Sequence, residues 1–402
     1  MANSLLTIDM ITRKSLEILE NNLVVTRNVN RQYDDSFAVE GAKIGSTLRI
    51  RLPDRALVTD GAALQTQDDN EQYTSLTVAS QKHIGINFTS AELTMQLDDF
   101  ADRVLKPRIS QLAASVDADV TSIAQKGLYN SVGTPGTTPG TSLVLLQANQ
   151  KLSEVATPLA QRYATVNPAA NAALVEGMKG FFNPTGTISR QFKSGMMGEG
   201  VLGYDEINMS QSLGVQSTGT RTNGTVTSTI STQGTNSISL SGLGANATIK
   251  AGEVFTIAAS NTVNPQTRVS TGSLQQFVVT ADATASGGGV ATVTISPAIY
   301  DASHALATVD VFPQASAVVT WLGSASSSYA QNLVYHKNAI TFATADLLLP
   351  QGVDMASRAV HNGISLRVVR QYDINNDRMP CRVDVLYGAS VIRGAMGCRI
   401  WG

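Results

Sequence analysis

Between Val215 and Leu322 the chain all but abandons charge. Seven of these 108 residues are charged (Arg221, Lys250, Glu253, Arg268, Asp282, Asp301 and Asp310), whereas Ser, Thr and Gly supply 42. Short apolar runs recur within it as "SISLSGL", "GEVFTIAA", "QQFVVTAD", "VATVTIS" and "AVVTWLG", parted by turns such as "SGGG". Even spacing of short strands and turns is the pattern of an all-β barrel or sandwich. Sequence of another kind resumes with "QNLVYHKNAITFATADL", so the segment reads as an insertion.

Upstream, residues 33–88 read as a long, two-armed extended element. "STLRIRLP" sets Leu48, Ile50 and Leu52 on one face and Arg49 and Arg51 on the other. "HIGINF" brings Ile84, Ile86 and Phe88 into phase as the expected return arm, across a polar "TDGAALQTQDDNEQ". A lone two-stranded ribbon is marginal in water, so this one is expected to be ordered by lying on something else. Thr89 and Glu92 then form a T-x-x-E capping box, and an apolar stripe runs from Leu93 through Phe100 and Val104 to Ile109, Leu112, Val116, Val120 and Ile123. Pro107 is expected to kink one helix of about 35 residues, some 50 Å long at about 1.5 Å per residue.

At the N-terminal end Leu5, Ile8, Ile11, Leu16 and Leu19 give a helical stripe that Asn21 and Asn22 can stop. That stripe needs a surface, either the chain's own body or a neighbouring subunit. Asp9, Arg13 and Lys14 break any apolar core of a signal peptide. Beyond the loop "NSVGTPGTTPGTS", a helix ("LVLLQANQKLSEVA"), a strand ("RYATVN"), Asn167-Pro168 as N-cap and first helical position, and a strand ("GYDEINMS") predict an α/β unit. The closing strands are "ISLRVVRQYD", "CRVDVLYG" and "CRIWG"; the chain ends apolar because its last strand belongs to a core.

Charged residues make up 15% of the chain, below the usual quarter or so, which fits a surface that largely meets other protein. The net charge of −2 argues against a nucleic-acid binder. No apolar run is long enough to span a membrane. Cys381 and Cys398 match no metal or redox spacing and are expected to be buried, reduced thiols of a cytoplasmic product. The four histidines, His83, His304, His336 and His361, are scattered, and no phosphate-binding loop, nucleophile elbow or metalloprotease motif occurs. His336 is expected in a core or turn. Catalytic, cofactor and metal residues are therefore expected to be absent. Two rival classes remain: a surface adhesin or fibre subunit, for its Ser/Thr/Gly-rich β-domain, and a serine hydrolase, for its many serines.

In order along the chain, "MQLDDFADRVLKPRISQLAASVDADV", "RYATVNPAANAAL", "IKAGEVFTIA", "ADATASGGGVATVTISPAIYD", "NLVYHKNAITFATADLLLP" and "SLRVVRQYDINNDRMPCRVDVLYG" resemble the major capsid (coat) proteins of tailed bacteriophages. The likeness is to the short-tailed-phage subgroup with an inserted β-domain. It implies an α+β, HK97-like fold: an N-terminal arm (1–32), an extended hairpin loop (33–88), a spine helix and peripheral region (89–142), an apical domain (143–214 and 323–402) and the inserted β-barrel (215–322). It further implies a self-assembling icosahedral head of hexamers and pentamers. Such heads form in the host cytoplasm as a procapsid with a scaffolding protein and a portal, and enclose double-stranded DNA without binding it specifically. No membrane, cofactor, self-cleaved N-terminal domain or crosslink is expected. The candidate subunit-interface residues are Leu48, Arg49, Ile50, Arg51, Leu52, Asp54 and Arg55 of the ribbon. To these is added Arg268, in an insert loop (261–273) expected to touch a neighbour across a two-fold axis.

Overall fold

The strand Met379–Val391 is buried through its middle because "CRVDVLYG" puts apolar residues on both faces, and one sheet is built around it. In the computed structural model, which describes residues 8–34, 47–52, 55, 56, 58, 61, 62, 66, 72–88, 104–177, 198–375 and 378–402, this sheet has six strands. Its order is Asn30–Asp34, Ile340–Ala345, Met379–Val391, Ile364–Arg370 and Met355–His361, and Ser80–Phe88 also pairs with Met379–Val391. The sheet falls in the first of two compact units, residues 1–50, 73–120 and 341–390. Asp384 is wholly buried in it, held by Arg367 Nη2 at 2.7 Å and Arg382 Nε at 2.6 Å.

This pairing corrects one expectation. "HIGINF" is strand, but Ser80–Phe88 runs antiparallel to Met379–Tyr387 inside the sheet, with Ile86 opposite Cys381. The partner of Thr47–Arg51 is Tyr73–Thr77. The ribbon thus closes earlier than its alternation suggested.

Helix α1 (Ile8–Asn22) buries Ile11, Leu16, Ile18 and Leu19 and packs on Met355–His361 and Ile364–Arg370. Of the two surfaces open to it, the chain's own body is the one it uses. The short helix α2 (Val25–Asn28) follows, and α3 (Lys106–Gly127) supplies its N-terminal acceptor: Asp117 takes the N–H groups of Val24 (2.6 Å), Val25 (3.4 Å) and Thr26 (3.0 Å). In α3 Ile109, Leu112, Val116 and Val120 are buried, as the stripe requires. Pro107 is the second residue of α3, with π-helical Val104 and Leu105 before it, so the expected kink falls at the edge of the described residues. The capping box and the stripe as far as Phe100 lie outside the described residues.

The second unit comprises residues 51–72, 121–340 and 391–402. Its seven-stranded sheet runs Asn130–Val132, Gly397–Trp401, Ser328–His336, Arg162–Val166, Tyr204–Met209 and Gly198–Val201, with Val215–Ser217 also on Ser328–His336. Helices α4 (Ser142–Glu154) and α5 (Pro168–Gly177) cover one face, where Leu145, Leu152, Leu174, Val334, Cys398 and Ile400 share a core. Asn167 caps α5 as expected, its Oδ1 accepting from Ala170 N at 2.7 Å. All five residues of Gly397–Trp401 are buried, which explains the apolar end of the chain. Both cysteines are free and buried, and burial pushes each thiol up to about 12. His336 is a turn histidine: its Nδ1 accepts from Asn338 N, and burial lowers its pKa.

The charge-poor segment forms a closed barrel of six strands in the order Gly224–Val226, Thr235–Ser241, Ala291–Ile299, Ser270–Val279, Val254–Val263 and Val318–Trp321. Its interior holds Phe255, Ile257, Phe277, Val293, Ile295 and Trp321. The fold is therefore α+β with an inserted all-β barrel. No helix among the described residues is long and apolar enough to cross a membrane.

Candidate assembly surfaces

The ribbon begins on a firm base. Ile50 is half-buried against Leu76, Val78, Ala343, Ala345 and Leu386, so its side chain is occupied by its own chain. Arg49 is exposed, and its guanidinium lies 5.1 Å from the centre of the Tyr73 ring, itself 60% exposed. Leu52 N donates to Gln72 O at 2.8 Å, extending the pairing by one step, and Leu52 is half-buried. Arg51 and Arg55 are exposed. Asp54 and the side chain of Leu48 lie outside the described residues. The ribbon thus presents Arg49, Arg51, Arg55 and Tyr73 to solvent, while part of the apolar face expected to seek a neighbour is already covered.

Arg268 sits in a different element, the turn after Val254–Val263. It is half-buried with φ +57° and donates its N–H to Asn264 O at 2.8 Å. Asn264 organises that turn: Oδ1 accepts from Gln266 N and Thr267 N, and Nδ2 donates to Glu154 O at the end of α4. Lys151 of α4 adds a bond to Ser273 Oγ at 3.0 Å. Gln276 of the barrel bonds both backbone groups of Ser131, and Tyr129 packs with Val254 and Val278. The barrel is therefore fastened to the seven-stranded sheet and α4 by side chains that residue spacing alone did not single out.

A third surface gathers on α1. Glu20 accepts from His361 Nδ1 (2.6 Å), Asn362 Nδ2 (2.6 Å) and Arg31 Nη1 (3.3 Å). Arg13, Glu17, Arg358 and Val360 border the same groove, of about 660 Å³. Burial by itself would raise the Glu20 carboxyl, but the bonds from Asn362, His361 and Arg31, with the Arg31 charge, outweigh it and hold the pKa below its ordinary 4.5. A carboxylate lowered on folding contributes stability that is full above its unfolded pKa and lost as pH falls through the folded one. Acid melts of the whole chain should therefore show wild type losing more stability than Glu20→Gln between roughly pH 5 and pH 3. Equal losses would mean that the cluster does not bind α1 through the ionised carboxylate.

Among the described residues no group of three or more His, Cys, Asp or Glu side chains could hold a metal ion. His304 stacks on Tyr300 with centroids 4.6 Å apart, and its Nδ1 accepts from Leu306 N. An anchored barrel, arginines exposed on the ribbon, and His304, His336 and His361 engaged in turns and a latch are features of a structural subunit. A family model described as "P22 coat protein - gene protein 5" matches residues 1–402. The chain belongs to the P22 coat protein family: it is a structural phage capsid protein and not an enzyme. The family match does not support the adhesin reading.

Among curated proteins no match is found. Among solved structures the chain is similar to one from Mycobacterium phage Che8, with 11% identity, TM-score 0.46, and 94% of this chain and 90% of that chain covered. A capsid structure of the Cyanophage P-SCSP1u gives 11% identity and TM-score 0.43 over 94% and 88% of the two chains. The mature capsid of bacteriophage PhiM1 gives 12% and 0.43 over 94% and 86%.

Proposed function

We propose that this coat subunit closes into an icosahedral head as hexamers and pentamers in the host cytoplasm. It does so with a separate scaffolding protein and a portal, and encloses double-stranded DNA without binding it specifically. The observation that carries this reading is the match to a phage coat family along the whole chain. The near-neutral charge of −2 supports it, since a strongly basic inner wall would grip a genome that must slide in and out.

Contacts between copies fall to the ribbon, residues Leu48, Arg49, Ile50, Arg51, Leu52, Asp54 and Arg55, and to the Arg268 loop of the insert. Because Ile50 is engaged within its own chain, the exposed arginines are the groups that reach a neighbour. Each exposed ion pair is worth only about 0 to 1 kcal/mol. A closed shell makes many at once and gains by effective concentration, while single weak contacts let misplaced copies leave.

Coexpression with the scaffolding protein and electron microscopy test this: round shells are expected, and rods or small oligomers would refute it. Arg49→Glu, Arg51→Glu and Arg55→Glu together should leave a folded monomer, its melt lowered only by loss of local contacts such as Arg49 over Tyr73. Shell yield should drop roughly tenfold or more, the effect of about 1.4 kcal/mol lost per copy. Normal yield from that variant would remove the ribbon from the assembly contacts.

A further inference from the structure

Arg399 lies on the closing strand, Gly397–Trp401. Cys398 and Ile400 of that strand enter the core under α4 and α5, so alternation turns Arg399 and Trp401 to the opposite face of the sheet. Register sets Ser131 and Leu333 beside Arg399, and Gln331 beside Trp401. The barrel covers this face: Gln276 bonds Ser131 N at 2.6 Å and Ser131 O at 2.9 Å, and Arg399 Nη1 donates to Gly252 O at 2.6 Å.

Arg399, Gln331 and Trp401 are all 0% exposed. Nη1 of Arg399 has a second, longer bond to Gln331 Oε1 at 3.4 Å. Arg399 Nε and Nη2, Gln331 Nε2, Trp401 Nε1 and Ser131 Oγ have no partner. Four of these five atoms can only donate, and the fifth is a hydroxyl. Among the described residues, no carboxylate acts on the Arg399 charge.

The two other deeply buried arginines of this unit are satisfied differently. Arg162 spends its nitrogens on Pro158 O, Thr157 O, Ser153 Oγ and Asn149. Arg221 pairs with Glu253. A guanidinium keeps its proton in proteins, and an uncompensated buried charge is costly. Water answers this poorly: it brings no charge, and among these groups only Ser131 Oγ is an unengaged acceptor for its two hydrogens.

We propose that the layer between the seven-stranded sheet and the barrel binds a small monovalent anion of the halide class, accepting from Arg399 Nε and Nη2, Gln331 Nε2 and Trp401 Nε1. The anion neutralises the buried guanidinium and steadies the arginine whose Nη1 donates to Gly252 O of the insert.

The test is thermal unfolding of the full chain in sodium chloride or bromide against sodium gluconate, whose anion is too large for the site, at equal ionic strength. The midpoint should be higher in halide and climb by a constant step per tenfold rise in concentration once the site fills. Arg399→Met should unfold at the same midpoint in both salts. Equal midpoints for wild type, or an undiminished halide effect in Arg399→Met, would overturn the proposal. If that variant does not fold, a high-resolution map of wild type in bromide decides. A peak contacted by Arg399 Nε and Gln331 Nε2 supports the site, and its absence refutes it.

Discussion

Glu253→Ala is expected to destabilise the inserted barrel by about 3–5 kcal/mol, the cost of breaking a buried ion pair from one side. Glu253 is 0% exposed, and each of its oxygens has defined work. Oε2 accepts from Arg221 Nε at 2.5 Å, while Oε1 accepts from Gly219 N and Lys250 N, both at 2.7 Å. Truncation would strand a buried guanidinium and two backbone donors together. The Arg221 guanidinium lies 4.5 Å from the Trp321 ring centre, so the pair is continuous with the barrel core. The segment has no room to readjust at Gly219, where a Cβ would come within 1.9 Å of Thr248 O.

For a domain of this size the loss corresponds to a midpoint roughly 12 °C lower or more. Hydrogen exchange at the amides of Phe255, Ile257 and Phe277 would localise the loss to the barrel. Adding Arg221→Met to Glu253→Ala should cost less than the sum of the two, since the stranded charge is then gone. Full additivity, or a loss under about 1 kcal/mol, would show that the pair is not coupled as its burial implies.

Which parts of this architecture the sequence discloses follows from the range over which each signal acts. The barrel strands, α4, α5 and the Asn167 cap are set by neighbours a few residues away, and periodicity and composition report them directly. Strand partners are not set locally. "HIGINF" declares an extended segment with one apolar face, but only the chain's return at Met379–Tyr387, some 300 positions on, makes it a sheet strand rather than a ribbon arm. Ile50 misled for the same reason: alternation marks it as apolar, not as already covered by Leu76 and Leu386. The buried charges were least legible of all. Glu253, Asp384 and Arg399 look like ordinary surface residues until the fold removes water from around them. The signal in "GCRIWG" is an arginine inside a run otherwise apolar enough for a core strand.

Asp117 is the last of these hidden charges, and replacing it should release α2. Within "VDADV" of α3 the two carboxylates have different surroundings. Asp119 is half-exposed and paired with Lys82 at 2.7 Å. Asp117 is 1% exposed and receives the N–H groups of Val24, Val25 and Thr26, together with Thr26 Oγ1 at 2.5 Å. A helix as short as α2 has no stability of its own, so its first turn exists because a carboxylate from α3 meets its free donors.

Asp117→Ala would leave those donors buried without acceptors, at about 1–3 kcal/mol each, and a total near 3–5 kcal/mol is expected once the backbone relaxes. Asp117→Asn keeps the shape but turns an amide toward N–H groups, and should recover only part of the loss. Limited proteolysis of the monomer should then cut within 23–29 before any site in the Met379–Val391 strand. The same cutting order and rate as wild type would show that α2 holds without its cap. The effect reaches further because α1, α2 and the strand Asn30–Asp34 carry Glu20, Thr26 and Arg31 in one connected run. Losing the Asp117 anchor therefore loosens the Glu20 cluster as well, and Asp117→Ala should flatten the acid dependence that Glu20 confers.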